Sequence, residues 1–183
     1  ALGNRSIFAD PRDAEAKSRL NLKIKFRESF RPFAPVVLQE DAAKWFDIVG
    51  ESPFMLFTPN LREIHRKSSQ VSNPFSPDAG TVQSRVPAVT HYDYSARIQT
   101  ISRAQNPLVY DLISRFRDLT GIPMLINTSF NVRGEPIVES PRDAFRCFMA
   151  TDLDVLVIGP FLLFKNHQTV AEDSQYVRDL PLD

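Results

Sequence analysis

Three features of this 183-residue chain predict a fold of α/β or α+β class. Stretches with strand and helix character interleave along the sequence. Two segments open on a capping residue followed by proline, Asn106-Pro107 and Ser140-Pro141, the pattern of a helix N-terminus. Short β-branched runs, Val36-Val37-Leu38 and Val155-Leu156-Val157-Ile158, have the length and content of strands.

The elements follow in order. Residues 1–12 are short and mixed and read as a connector. Residues 12–22 hold good helix formers and predict a helix ending near Asn21. A basic segment, 23–31, comes next, with Pro32 and Pro35 excluding a helix there. After the strand at 36–38, Asp41 is placed to cap a short helix reaching Phe46. The apolar run Phe54-Met55-Leu56-Phe57 reads as a buried strand. Residues 62–84 are polar and predict a long loop or lid. Strands at 86–89 and 97–101 would flank a turn at His91-Tyr92-Asp93. The helix capped by Asn106 would end at Gly121, with Leu108, Leu112, Ile113, Phe116 and Leu119 as its apolar stripe. A strand at 123–126 runs into Asn127-Thr-Ser-Phe-Asn131. The helix after Ser140 and strands at 155–158 and 161–164 complete the fold. The tail from about residue 171 is polar.

Composition narrows the function classes. Hydrophobic residues make up 43% of the chain, with 14 Phe, enough for a core, and the 24% charged content is not that of a disordered chain. Twenty-two basic residues balance 22 acidic ones, which argues against nucleic acid as a partner, since no overall basic field draws a phosphate backbone. The single cysteine, Cys147, excludes an intrachain disulfide and a cysteine-type zinc site, and fits a cytoplasmic, reducing setting. No apolar run reaches the length of a membrane span, so no membrane partner is expected. The chain opens on Ala1, and its first segment reads as cut from something longer.

Three polar clusters carry possible chemistry. Lys25-Phe26-Arg27, with Arg31 close behind, would place an ammonium and a guanidinium on one face of an extended stretch. Such a pair is either a solvated basic edge or a site for a phosphate-like anion between the cations. Asn127, Ser129 and Asn131, followed by Arg133 and Gly134, leave a strand, where ligand loops of α/β sheets sit. Their neutral donors and acceptors suit a carbonyl, a carbamoyl amide or a phosphate, and suit equally a turn that caps its own backbone. His91, Arg97 and Gln99 offer contacts to a substrate or nucleotide; His91-x-Asp93 has metal-compatible residue types but no third ligand, so no metal site is expected. Phosphate-loop, dinucleotide and nucleophile-elbow motifs are absent from the sequence, so a nucleotide would be held by side chains.

Lys25-x-Arg27 together with Ser129-x-Asn131 resembles the KxR…SxN tetrad of YrdC-like domains. Longer words are more specific. ALGNRSIFADPR, KFRESFRPFAP, SPFMLF, PAVTHYDYSARIQT, NPLVYDLI and TGIPMLINTSFNVRGEPIVESPRDAFRCF resemble the C-terminal half of NodU/CmcH-type O-carbamoyltransferases, from Ala1 to about Lys165. The resemblance implies a twisted mixed β-sheet flanked by helices. It divides the chain into residues 1–12, the remnant of a preceding ASKHA-like part, residues 13–170, a carbamoyladenylate-forming domain, and a tail, 171–183. It implies ATP with Mg²⁺ as cofactors and carbamoyl phosphate as substrate. The carbamoyl group would pass to an acceptor hydroxyl at a metal-binding N-terminal part of the same enzyme. Lys25, Arg27, Ser129 and Asn131 take the tetrad's catalytic positions. Arg31, His91, Arg97, Gln99, Asn127 and Arg133 are the candidates for substrate or nucleotide contacts. Threonylcarbamoyl-adenylate synthesis and a non-catalytic nucleotide- or RNA-binding module are the competing readings, the first disfavoured by the words outside the tetrad and the second by the zero net charge.

Overall fold

A computed structural model describes residues 3–26, 28, 31–67 and 83–169. The fold is mixed α/β. The chain forms two compact units, the first made of Ala1–Lys17 and Pro32–Thr128, the second of Ser18–Arg31 and Ser129–Asp183.

The first unit is built on a four-stranded sheet. Its strands are β1 (Ser6–Ala9), β2 (Ala34–Leu38), β3 (Gln99–Ile101) and β4 (Met124–Ser129), in the spatial order β1-β4-β2-β3. β2 pairs antiparallel with β4, Val36 opposite Leu125, and parallel with β3, Val37 opposite Thr100. Parallel partners need a long crossover, and residues 39–98 provide it. β2 is buried along its whole length, as its unbroken apolar run requires of a central strand. Helix α3 (Pro107–Thr120) lays Val109 and Ile113 on Val36, Leu38, Ile101 and Leu125. Its ends are those the sequence predicts. The Asn106 side chain accepts from Val109 N–H, and Gly121 closes the helix at φ 74°.

Several expectations are corrected. Residues 6–9 are a strand of the main sheet, because Ile7 is buried in the core. Asp41 lies inside α2 (Gln39–Trp45), whose cap position is Leu38. Its buried carboxylate instead accepts from Lys44 Nζ at 2.6 Å and Arg117 Nη1 at 3.1 Å, tying α2 to α3. Residues 54–57 are not a strand: the chain turns at Pro53–Phe54 and bends at Met55, φ 56°, leaving Phe54, Leu56 and Phe57 exposed. Pro87–Val89 is a single 3-10 turn. Of the expected stripe, Ile113 and Phe116 reach the core, while Leu108, Leu112 and Leu119 face solvent, since the helix rolls to bury Val109. Of the expected loop 62–84, the two ends are described: a 3-10 turn at Glu63–His65 and a bridge between Arg66 and Ser84. The remainder, and the tail, lie outside the described residues.

The second unit contains the C-terminal part of helix α1 (Ala14–Lys23), helix α4 (Pro141–Ala150) and a hairpin of β5 (Val155–Ile158) and β6 (Phe161–Phe164). Ser140 and Asp143 form a reciprocal capping box at the start of α4. Lys165 finishes the other end, donating to the carbonyls of Phe148, Met149 and Thr151. Cys147 is fully buried on α4; burial, then Glu135, push its thiol up to about 12, so it stays protonated and unreactive.

Candidate functional site

The local backbone of the second unit brings Lys25 to the end of β4. After α1, the Lys25 N–H returns to the Leu20 carbonyl at 2.8 Å, a wider closure than the helix's own bonds. Phe26 follows at φ 48°, a left-handed conformation that non-glycine residues rarely take. The backbone is therefore not extended at Phe26. Arg27 lies outside the described residues.

Lys25 is buried, and its ammonium meets four oxygens: Ser129 O at 2.5 Å, Asn131 Oδ1 at 2.8 Å, Asn131 O at 2.9 Å and Ser129 Oγ at 3.2 Å. Three N–H donors are thus shared among four acceptors. These four oxygens carry no formal charge, and their dipoles solvate the ammonium. Ser129 Oγ donates to Asn131 Oδ1 at 2.6 Å, and Asn131 Nδ2 donates to the Glu135 carbonyl at 2.8 Å. The result is a rigid bow of chain from 129 to 135, pinned from below by a cation. Ser129 is exposed and Asn131 half-buried, so the polar atoms a ligand would meet lie above the buried charge.

Of the other predicted residues in this unit, Arg31 is exposed beside Glu28, 3.9 Å away, and its carbonyl accepts from Asn21 Nδ2. Arg133 is half-buried in the same bow. Glu135 was not anticipated; its part is played by a backbone carbonyl, which leaves no mark in residue type.

The remaining candidates belong to the first unit. Asn127 Nδ2 donates to Gln99 Oε1 at 3.0 Å, and Gln99 Nε2 donates to the Pro53 carbonyl at 2.9 Å. Gln99 borders a cavity of about 680 Å³ that Pro53, Phe54, Met55, Thr100 and Asn106 also line. Phe54 and Met55, expected in a buried strand, line this cavity instead. His91 Nδ1 lies 3.0 Å from Ser95 Oγ, and Asp93 accepts from Ser95 N–H, so both hold a turn. Burial lowers the His91 imidazole, which favours its neutral form. Arg97 is exposed. Among the described residues no three His, Cys, Asp or Glu side chains gather as a metal site would need, and no helix is long and apolar enough to cross a membrane.

Comparison with known proteins identifies the family. The Carbamoyltransferase C-terminus family matches residues 1–165. Nodulation protein NolO of Bradyrhizobium diazoefficiens is 45% identical over 184 residues, covering 99% of this chain and 30% of NolO. Nodulation protein U of Sinorhizobium fredii is 42% identical over 144 residues, 79% of this chain and 23% of that protein. The 3'-hydroxymethylcephem-O-carbamoyltransferase of Amycolatopsis lactamdurans is 36% identical over 159 residues, 87% of this chain and 27% of that enzyme. The chain thus spans less than a third of the length of these relatives. With the match running over all but its last 18 residues, this chain belongs to the carbamoyltransferase C-terminus family.

Proposed function

We propose that this chain is the C-terminal part of an O-carbamoyltransferase and forms carbamoyladenylate from ATP and carbamoyl phosphate. The observation that carries the reading is the meeting of Lys25 with Ser129 and Asn131, 104 and 106 residues away, in one hydrogen-bonded cluster. In balanced form, water takes carbamoyl phosphate to carbamate and phosphate. A carbamate oxygen then attacks the α-phosphorus of ATP, and the bond to pyrophosphate breaks. An acceptor hydroxyl finally takes the carbamoyl group and releases AMP.

Both reactants are polyanions, so the first requirement is positive potential at the point of contact. Lys25 supplies a buried charge through neutral dipoles. Its field is strengthened by burial, because little water intervenes. Ser129 Oγ and the Asn131 amide, held above it, present neutral groups that orient a carbamoyl or phosphoryl oxygen. Arg31 and Arg133 of the same unit add guanidinium donors for phosphate, and Arg27 completes the motif. Mg²⁺ would travel with ATP, held chiefly by phosphates and water. Delivery to the acceptor hydroxyl falls to a preceding metal-binding part of the same polypeptide. A cytoplasmic location follows from the use of ATP.

Pyrophosphate release tests the reading. We expect it to require ATP, Mg²⁺ and carbamoyl phosphate together in the longer polypeptide that carries this chain. Release that instead requires bicarbonate and threonine would replace this reading with threonylcarbamoyl-adenylate synthesis. Release from neither set would sink the adenylate-forming role.

A further inference from the structure

The hairpin of the second unit is apolar on both faces. Its register pairs Val155 with Phe164 and Val157 with Leu162, which puts these four side chains on one face; Leu156, Ile158, Phe161 and Leu163 occupy the other. The second face is anchored within the unit at Leu156, while Phe161, at the hairpin turn, is 69% exposed. Leu156 is buried, β5 lies against α4, and Lys165 fastens the end of β6 to the last carbonyls of α4. The first face is bare: Val155, Val157, Leu162 and Phe164 are 41, 64, 56 and 43% exposed. A solvated antiparallel pair ordinarily alternates apolar and polar residues. Here all eight strand positions are apolar. The anchoring through Leu156 and Lys165 holds the hairpin without help from the bare face.

We propose that this face docks the portion of the longer carbamoyltransferase polypeptide that lies outside the chain, a proposal that rests on reading the chain as that enzyme's C-terminal part. Size selects this occupant over a second copy. Four side chains at these exposures offer on the order of 400 Å² of apolar surface, the size of the patches that on monomers are often functional. A stable dimer takes roughly 800 Å² from each partner, so this face alone would not hold two copies together. A covalently tethered partner is present at an effective concentration around millimolar, where a smaller apolar contact suffices. Relatives of this chain carry more than two thirds of their length outside the matched region, so a tethered partner of ample size is at hand.

Hydrogen exchange of residues 155–164, without ligand, tests the proposal in the 183-residue chain and in the longer polypeptide that contains it. We expect roughly tenfold or greater slowing in the longer polypeptide. The double substitution Val157→Lys, Leu162→Glu should abolish that slowing, while moving the melting temperature of the 183-residue chain by no more than about 2 °C. Equal exchange in both polypeptides overturns the proposal. So does a dimer of the 183-residue chain that the double substitution dissolves, which would make a second copy the occupant. Protection already present in the 183-residue chain and lost on removing residues 170–183 would assign the face to the chain's own tail and overturn it as well. A polypeptide that docks yet releases no pyrophosphate would sink the catalytic reading alone; one that releases pyrophosphate without docking would sink this proposal alone.

Discussion

Lys25 shows how one side chain can be both scaffold and field source. Its ammonium satisfies four oxygens of the 129–131 bow, so removing it leaves part-buried acceptors without their donor. Lys25→Met should therefore destabilise the protein by about 2–4 kcal/mol in urea unfolding, and should abolish carbamoyl-phosphate-dependent pyrophosphate release. Lys25→Arg should restore little of either, because a planar fork does not fit a compact four-oxygen nest. Stability and release both at wild-type level in Lys25→Met would remove the residue from the account. Cys147 makes a second residue-scale prediction. Its folded-state pKa of about 12 exceeds its ordinary value, 9.0, so below pH 9 both states hold the proton and the contribution to stability is whole. As pH rises from 9 towards 12 only the unfolded thiol ionises, and up to about 4 kcal/mol is lost. Cys147→Ala should flatten that part of the stability–pH curve, measured by melting temperature at pH 8 and 10.5. An unchanged slope would contradict the burial of the thiol.

At the scale of elements, what the sequence discloses is what local chemistry determines. Asn106-Pro107 and Ser140-Pro141 mark α3 and α4 because capping bonds lie within three residues of the cap. Ser140→Ala should accordingly cost about 1 kcal/mol, read from urea unfolding; no loss would mean that the capping box is idle. Apolar content misleads where tertiary packing decides. Phe54–Phe57 has the composition of a core strand, yet its Phe54 and Met55 border a cavity, and of the α3 stripe Ile113 and Phe116 pack on the core while Leu108, Leu112 and Leu119 do not. The candidate site divides in the same manner. Its motif residues are legible through family resemblance, whereas Lys25's four-oxygen cradle depends on Phe26 leaving the extended region, which no residue type announces. The join between α2 and the turn at 63–65 is equally silent in sequence. There Trp45 and His65 stack at 3.7 Å, and His65 Nε2 lies 3.0 Å from the Lys44 carbonyl. Burial lowers the His65 imidazole, the Lys44 carbonyl opposes, and Arg85 and Arg62 add to the lowering. A depressed folded-state pKa contributes stability above the unfolded value and loses it as pH falls. Melting temperature should then drop between pH 7 and pH 5, and His65→Phe, which keeps the stack, should lessen the drop. An equal acid slope in that variant would show that His65 does not couple this join to pH.

For the whole molecule, the decisive fact is that a family match covering nearly all of this chain covers under a third of its relatives. The proposed function implies a division of labour in which this portion would activate the carbamoyl group and the remainder would select the acceptor. Acceptor identity accordingly leaves no trace here, whereas the charge-bearing cluster should be complete within the second unit. The most direct measurement of that claim is a calorimetric titration of the 183-residue chain with ATP and Mg²⁺, with and without carbamoyl phosphate, repeated on Asn131→Ala. The account predicts ATP binding in the wild type that weakens by about tenfold or more in the variant, the loss of one or two hydrogen bonds to charged phosphate. No heat from either ligand, or identical binding in Asn131→Ala, would contradict it.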